Sequence, residues 1–284
     1  MTDDFANALK ARRNQVDTMR VSMTVSGRDI EFDLTYDPNF VADVQTRQWL
    51  QRNGACEPEV VHLMRRVIRP GDFVIDGGAN IGFFTILMAN LVADNGIVLA
   101  VEPGENNLHA LKDNIRVNKL KNIEICNRPL WSTNEDVTLH YHEHGGLNSL
   151  SAHQPMMGRK LMQGIPLSTW HTTPRLIKLD IEGAEEFALR GAQKHLVNHV
   201  PYIVCELNLP ALKGLGSTQE SLRKFMRDWG YSTFILLRDG QLPCLIPDKT
   251  QIFEAEDNNG TVNVLFSTVD DVSRVWPRAV LRYA

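Results

Sequence analysis

The chain has 284 residues, 43% hydrophobic and 23% charged, with a net charge of −4, a balance ordinary for a globular protein that gives no electrostatic reason to expect nucleic acid or membrane as partner. Its most apolar stretch, residues 73–93, is broken by Asp76, Asn80 and Asn90, which a membrane span should lack. The N-terminus reads as no secretory signal, and Cys56, Cys126, Cys205 and Cys244 make no CxxC pair, so the expectation is a reduced, cytoplasmic setting without a disulfide frame or zinc knuckle.

Residues 20–36 alternate apolar and polar around Ser26 and Gly27, as a hairpin would. One helix is expected over about 41–52 and another from Glu57 to Val67, with Pro58 in its first turn. After the turn Arg69 to Asp72 the period switches repeatedly. DFVID reads as a buried strand, IGFFTILMANLVA as a helix, GIVLAVEP as a strand, ENNLHALKDNIRVNKL as a helix and NIEICNRPL as a strand. RLIKLDIEG continues the alternation, followed by helices over EEFALRG and AQKHLVNHV and by the strand PYIVCEL. Residues 209–217 read as a loop. Ser217 and Glu220 have capping-box spacing, and Gly230 sits where the next helix should stop. GYSTFILL and TVNVLFS then form two strands joined by a long polar loop. Strands alternating with helices predict an α/β fold, a doubly wound and mostly parallel sheet, and the last strand pair predicts an antiparallel edge. No linker divides the chain. The expected division is a hairpin and helical extension over 1–54 and the main domain over 55–284.

In such a sheet the first strand–turn–helix is the usual ligand site, and here it reads FVIDGGANIGFFT, residues 73–85. A dinucleotide turn needs GxGxxG. Residues 77–82 read GGANIG, so Ala79 puts a methyl group where a diphosphate would press closest. Glu102 ends the second strand 20 residues after Gly82, a spacing that suits a carboxylate on ribose hydroxyls in either cofactor class. Asp76 would repel a diphosphate but suits the cationic amino-acid end of adenosylmethionine. The cofactor reading favours S-adenosyl-L-methionine over NAD.

RPGDFVIDGGANIGFFT, then VLAVEP, LIKLDIEGAE and YIVCEL, over roughly residues 55–210, resemble the FkbM-type methyltransferases, with KLDIEGAE the family-specific element. The resemblance implies a class I methyltransferase fold with a seven-stranded sheet, and adenosylmethionine-dependent methylation, mostly of hydroxyl groups on natural products and sugars. By that resemblance Asp76, Gly78, Asn80 and Gly82, with Phe83 beside them, would hold the methionine portion and close the turn. Glu102 would hold the ribose, Asn127 and Arg128 would lie along the adenine, and Glu57 matches an acidic position near the cofactor. Asn148 and Ser149 match a recurring pair in a loop near the acceptor.

A hydroxyl needs a base, a metal or both to become a nucleophile. Lys178 and Asp180 share one strand face, Glu182 and Gly183 are expected to begin the next helix, and Glu206 and Asn208 end the neighbouring strand. Asp180 is the candidate base, with Lys178 and Glu206 as catalytic companions; alternatively Asp180, Glu206 and Asn208 would hold Mg2+. His140, His142 and His144 alternate along what reads as a solvated strand face rather than a zinc site, and His144 or His171 is a further candidate base. The expected partner is a small-molecule or glycan methyl acceptor. The N-terminal hairpin and helix would cap the site or pair two subunits as a homodimer. An NAD-dependent oxidoreductase and a catalytically silent binding protein are the competing readings.

Overall fold

The computed structural model describes residues 16–25, 28–38, 41–142, 145–152, 156–198, 201–236, 243–247, 250–252 and 261–276. The first hairpin pairs β1 (Asp17–Val25) with β2 (Arg28–Tyr36), and the helices α1 (Val41–Asn53) and α2 (Pro58–Val67) follow. Its expected turn residues, Ser26 and Gly27, lie outside the described residues. The alternation then runs β3 (Phe73–Gly77), α3 (Phe83–Val92), β4 (Ile97–Val101), α4 (Glu105–Val117) and β5 (Ile123–Cys126). An unanticipated hairpin, β6 (Asp136–Tyr141) and β7 (Gly158–Gln163), precedes β8 (Leu176–Leu179), α5 (Glu185–Arg190), α6 (Gln193–Asn198) and β9 (Tyr202–Asn208). The chain closes through α7 (Leu209–Gly214), α8 (Gln219–Asp228), β10 (Ser232–Ile235), β11 (Cys244–Leu245), β12 (Thr261–Ser267) and α9 (Val269–Val275).

The large sheet has the order β11-β10-β12-β9-β8-β3-β4-β5, eight strands where seven were expected, the addition being the two-residue β11 at the edge. β5, β4, β3, β8 and β9 are parallel, whereas β12 lies antiparallel between β9 and β10 and β11 is antiparallel to β10. The antiparallel element is thus wider than one edge strand. Residues 209–217, expected to be a loop, contain α7, and the capping box of α8 is one residue later than expected: Thr218 is its N-cap and Ser221 closes it.

Successive strand residues feed two cores, because side chains alternate across a sheet. Val74, Val98, Leu176, Val204 and Leu265 pack with the first hairpin, α2 and α3. Ile75, Leu99, Ile177, Ile203 and Phe266 pack on the other side with α5, α6 and α8. The same parity sorts the polar residues. Asp76 pairs in register with Lys178 and Glu206 with Asn263, and all four share the face of Val74, Leu176, Val204 and Leu265. Charges thus collect on one face at the carboxyl ends of the strands. No helix among the described residues is long and apolar enough to cross a membrane.

Asn114, fully buried on α4, ties the first hairpin to this frame. Its Oδ1 accepts from Thr35 N at 2.6 Å and Thr35 Oγ1 at 2.5 Å, and its Nδ2 donates to Thr35 O at 3.1 Å and Ile81 O at 2.8 Å. Asn114→Ala leaves several of these groups buried and unpaired, so it should cost about 2–4 kcal/mol in urea unfolding.

Candidate active site

The strand order reverses between β3 and β8, which opens a crevice at their carboxyl ends. Gly78 leaves β3 at φ +81°, and a Cβ there would lie 1.8 Å from the main-chain oxygen of Asp180. Only glycine lets the two strand ends approach so closely. A cleft opens beside this contact, lined by Gly78, Asn80, Glu102, Leu130, Asn148 and Asp180 among others. Of the five described non-glycine residues with positive φ, three stand at this site: Glu57, Asn80 and Glu182. Strained backbone of this kind concentrates where function over-determines it.

On the cofactor side, Glu102 is buried and each carboxylate oxygen accepts one main-chain N–H, Oε2 from Asn80 at 2.8 Å and Oε1 from Gly104 at 2.8 Å. Burial pushes its pKa up to about 7 although both N–H groups oppose the shift. The Oδ1 atoms of Asn80 and Asp76 are buried without a protein partner. Asp76 lies beneath the cleft rather than on its wall, its Oδ2 accepting from Thr85 Oγ1 at 2.5 Å, and burial raises its pKa.

Two cofactor residues fall elsewhere than expected. Asn127 is exposed and outside the lining, where Pro129 and Leu130 stand instead. Arg128 is spent on Asn134 Oδ1 and Gln163 O at the base of the second hairpin. Gly82, at φ +100°, is the N-cap of α3, and Phe83 packs in the core beside Phe32 and Phe84. The Ala79 methyl is buried against Leu108 and Leu111 rather than in the cleft, so it is no obstacle to a diphosphate.

On the acceptor side, Lys178 is 2% exposed, with Nζ 3.1 Å from Asp180 Oδ2 and 4.7 Å from the centre of the Phe84 ring. Burial works against its charge, but Asp180, Glu57 and Asp76 together outweigh it and hold the ammonium above its ordinary range. Glu57 accepts from Asn263 Nδ2 at 2.9 Å, and burial lifts its pKa to about 7. Glu206 is raised well above the usual carboxylate range, by burial first and then by Asp180, Glu57 and Glu182.

Glu182 does not begin a helix, since α5 starts at Glu185; it stands in the left-handed region at φ +51° with Gly183 after it at φ +100°. Its Oε2 accepts from Asn208 Nδ2 at 2.7 Å, and burial raises it to about 8. Carboxylate oxygens of Asp180, Glu182 and Glu206 all lie within 4.8 Å of one another. Asn208 is engaged beside them: its Nδ2 donates to Glu182 and its Oδ1 caps α7 by accepting from Ala211 N at 3.1 Å. The oxygens that could meet a hard cation are those of Asp180, Glu182 and Glu206.

Sequence reasoning missed Asn263, whose Nδ2 also reaches Glu59 at 3.2 Å, and the only available signal was a lone amide in an apolar strand. His140 and His142 are buried rather than on a solvated face; His144 lies outside the described residues. His171 is exposed outside the cleft lining, with its Nδ1 3.4 Å from Lys194 Nζ.

A family model described as the Methyltransferase FkbM domain matches residues 76–233, more than half of the chain. The chain belongs to the FkbM methyltransferase family. As such it is an adenosylmethionine-dependent methyltransferase, and nothing in the match favours the nicotinamide alternative. No curated protein matches it in sequence. Among solved structures, a putative rRNA-methylase from Clostridium thermocellum is 11% identical, covering 74% of this chain and 96% of that one at a TM-score of 0.45. An FkbM methyltransferase from Methylobacillus flagellatus is 18% identical, covering 76% of this chain but 52% of that one, at a TM-score of 0.44. A SAM-dependent O-methyltransferase from Thermotoga maritima is 11% identical, covering 87% and 77%, at 0.41. Family membership rests on the domain match.

Glu57, Glu102 and Glu185 rise to about 7 and Glu182 to about 8 from 4.5, so the folded methyltransferase binds protons that the unfolded chain releases. Their contribution to stability is therefore present at low pH and lost as pH rises through the folded values, and urea midpoints should fall from about pH 5 to about pH 8. Glu102→Gln should flatten that fall. Gly78→Ala should abolish adenosylmethionine binding in calorimetry and lower the melting temperature, because neither strand end can yield to a Cβ.

Proposed function

We propose that this FkbM methyltransferase transfers the methyl group to a hydroxyl of a small molecule or glycan, with Asp180 receiving the hydroxyl proton. One observation carries the reading: Asp180 lines the same cleft as Gly78, Asn80 and Glu102 while its carboxylate meets those of Glu182 and Glu206. Cofactor contacts and proton acceptors thus share one wall. The unpartnered Oδ1 of Asn80, the glycine contact and the doubly anchored Glu102 fit adenosylmethionine, with Glu102 toward the ribose and the Asp76 side of the turn toward its cationic end. When bound, that cofactor supplies an electrophilic methyl carbon on a sulfonium.

The remaining work falls to the chain. Lys178 holds Oδ2 of Asp180, which leaves Oδ1 for the acceptor hydroxyl. A base so oriented typically contributes about 10²–10⁴-fold to rate. Glu206 stands beside Asp180 and Glu57 keeps Lys178 in place. A second reading, favoured by the convergence of three carboxylates, is a divalent cation on Asp180, Glu182 and Glu206, whose oxygen donors suit magnesium. We read residues 55–284 as the catalytic domain and 1–54 as an extension that braces it through Asn114.

Asp180→Asn should bind adenosylmethionine within about threefold of wild type while kcat falls by about 10²-fold or more. Equal loss of binding would move Asp180 from acceptor chemistry to cofactor binding. The product should be an ether stable to mild alkali; a base-labile ester or a methylated amine would overturn the hydroxyl assignment. Chelation that leaves kcat unchanged removes the cation reading.

A further inference from the structure

The opposite end of the sheet carries a second concave surface, whose lining includes Arg65, Arg66, Arg69, Arg175 and Arg274. It lies at the amino ends of the strands. Arg175 precedes β8 and Tyr202 opens β9, whereas the candidate active site occupies the carboxyl ends of both. Five guanidiniums line this surface against two carboxylates, those of Asp29 and Asp271, a local excess of positive charge in a chain of net charge −4.

Four of the five side chains are anchored. Arg175 Nε donates to Val67 O at 3.1 Å and its guanidinium lies 5.1 Å from the centre of the Tyr202 ring. Arg66 Nε donates to His62 Nε2 at 3.0 Å and Nη1 to Val275 O at 3.5 Å, with Trp276 beneath it at 5.9 Å. Arg69 Nη1 donates to Ile68 O at 2.9 Å, and Arg274 Nη1 to Asp271 Oδ1 at 3.0 Å. Each spends one or two of five donors on its anchor, so the fork is held still while the rest of its N–H groups stay available.

Contacts join these charges along one line: Arg175 lies over the Tyr202 ring, the Tyr202 hydroxyl donates to the main-chain oxygen of Asp271 at 3.2 Å, Asp271 pairs with Arg274, and Arg66 meets the same helix at Val275 O. The acids in the lining are already used: Asp271 takes Arg274 and, at 2.8 Å, Thr268 Oγ1, and Asp29 takes Thr24 Oγ1 at 2.8 Å.

We propose that this groove binds a ligand carrying two or more phosphate groups, held by Arg65, Arg66, Arg69, Arg175 and Arg274. A phosphate offers three oxygens and up to two charges, so one group can serve three guanidiniums, which a carboxylate with two oxygens does poorly. Five guanidiniums are more than one such group serves, which calls for a second.

The test is calorimetric titration of inorganic pyrophosphate into the full chain, with sulfate as reference. Saturable binding at one site is expected, at least about tenfold tighter than sulfate, with Arg175→Gln and Arg274→Gln each weakening it by about tenfold or more. Arg116→Gln, on α4 and paired with Asp113, should leave it unchanged, and adenosylmethionine affinity should not move in any variant. Arg274 is exposed on a terminal helix, so its variant keeps the test open should Arg175→Gln fold poorly. Pyrophosphate binding no tighter than sulfate, or equal weakening by Arg116→Gln, overturns the proposal. Binding of anionic vesicles or single-stranded RNA without binding of pyrophosphate overturns it in favour of a macromolecular surface.

Discussion

The buried ammonium of Lys178 holds together the acids at the carboxyl ends of β3 and β8. Lys178 stands between Asp180, 3.1 Å away, and the charges of Glu57 and Asp76, under the ring of Phe84. Removing one partner from such a buried cluster leaves the others uncompensated, which is far costlier than losing a surface pair. The carboxylates outnumber the cation. Burial first, and the neighbouring carboxylates second, push Glu57, Glu182 and Glu206 upward.

The turn after β8 connects this cluster to the cofactor side. Gly78 presses on the carbonyl of Asp180, and Ser149 Oγ donates to the carbonyl of Glu182 at 2.6 Å from the loop that also lines the cleft. Glu185 Oε1 accepts from the N–H groups of Ile181 and Gly183, and Asn208 holds the Glu182 side chain. Left-handed backbone at Glu182 persists because every neighbour fixes it. Asp180, Glu182 and the contact with Gly78 are thereby parts of one rigid turn, which would hold the proposed cofactor and acceptor contacts in fixed relation.

Much of the site was legible because it is local. GGANIG and KLDIEGAE each join a buried strand to a turn with a special backbone, and periodicity placed those strands correctly. Lys178 and Asp180 on one face follow from strand parity alone. What was misread depends on contacts distant in sequence. Glu182 looked like a helix start because Gly183 and the acids after it have that appearance. Ala79 looked like an obstacle because its direction depends on α4, and Asn263 bonds to Glu57 across 206 residues.

The amino-acid sequence by itself determined the alternation of strands and helices, the glycine turn and the acids at each strand end, since these rest on hydrophobic period and backbone conformation within a few residues. Only the tertiary structure decided which acids meet. The order of β3, β8, β9 and β12 brings Asp180, Glu182, Glu206 and Asn263 onto one face and withdraws Asn208 into a helix cap. Strand order and register are set by packing of the two cores, and no single segment carries that information.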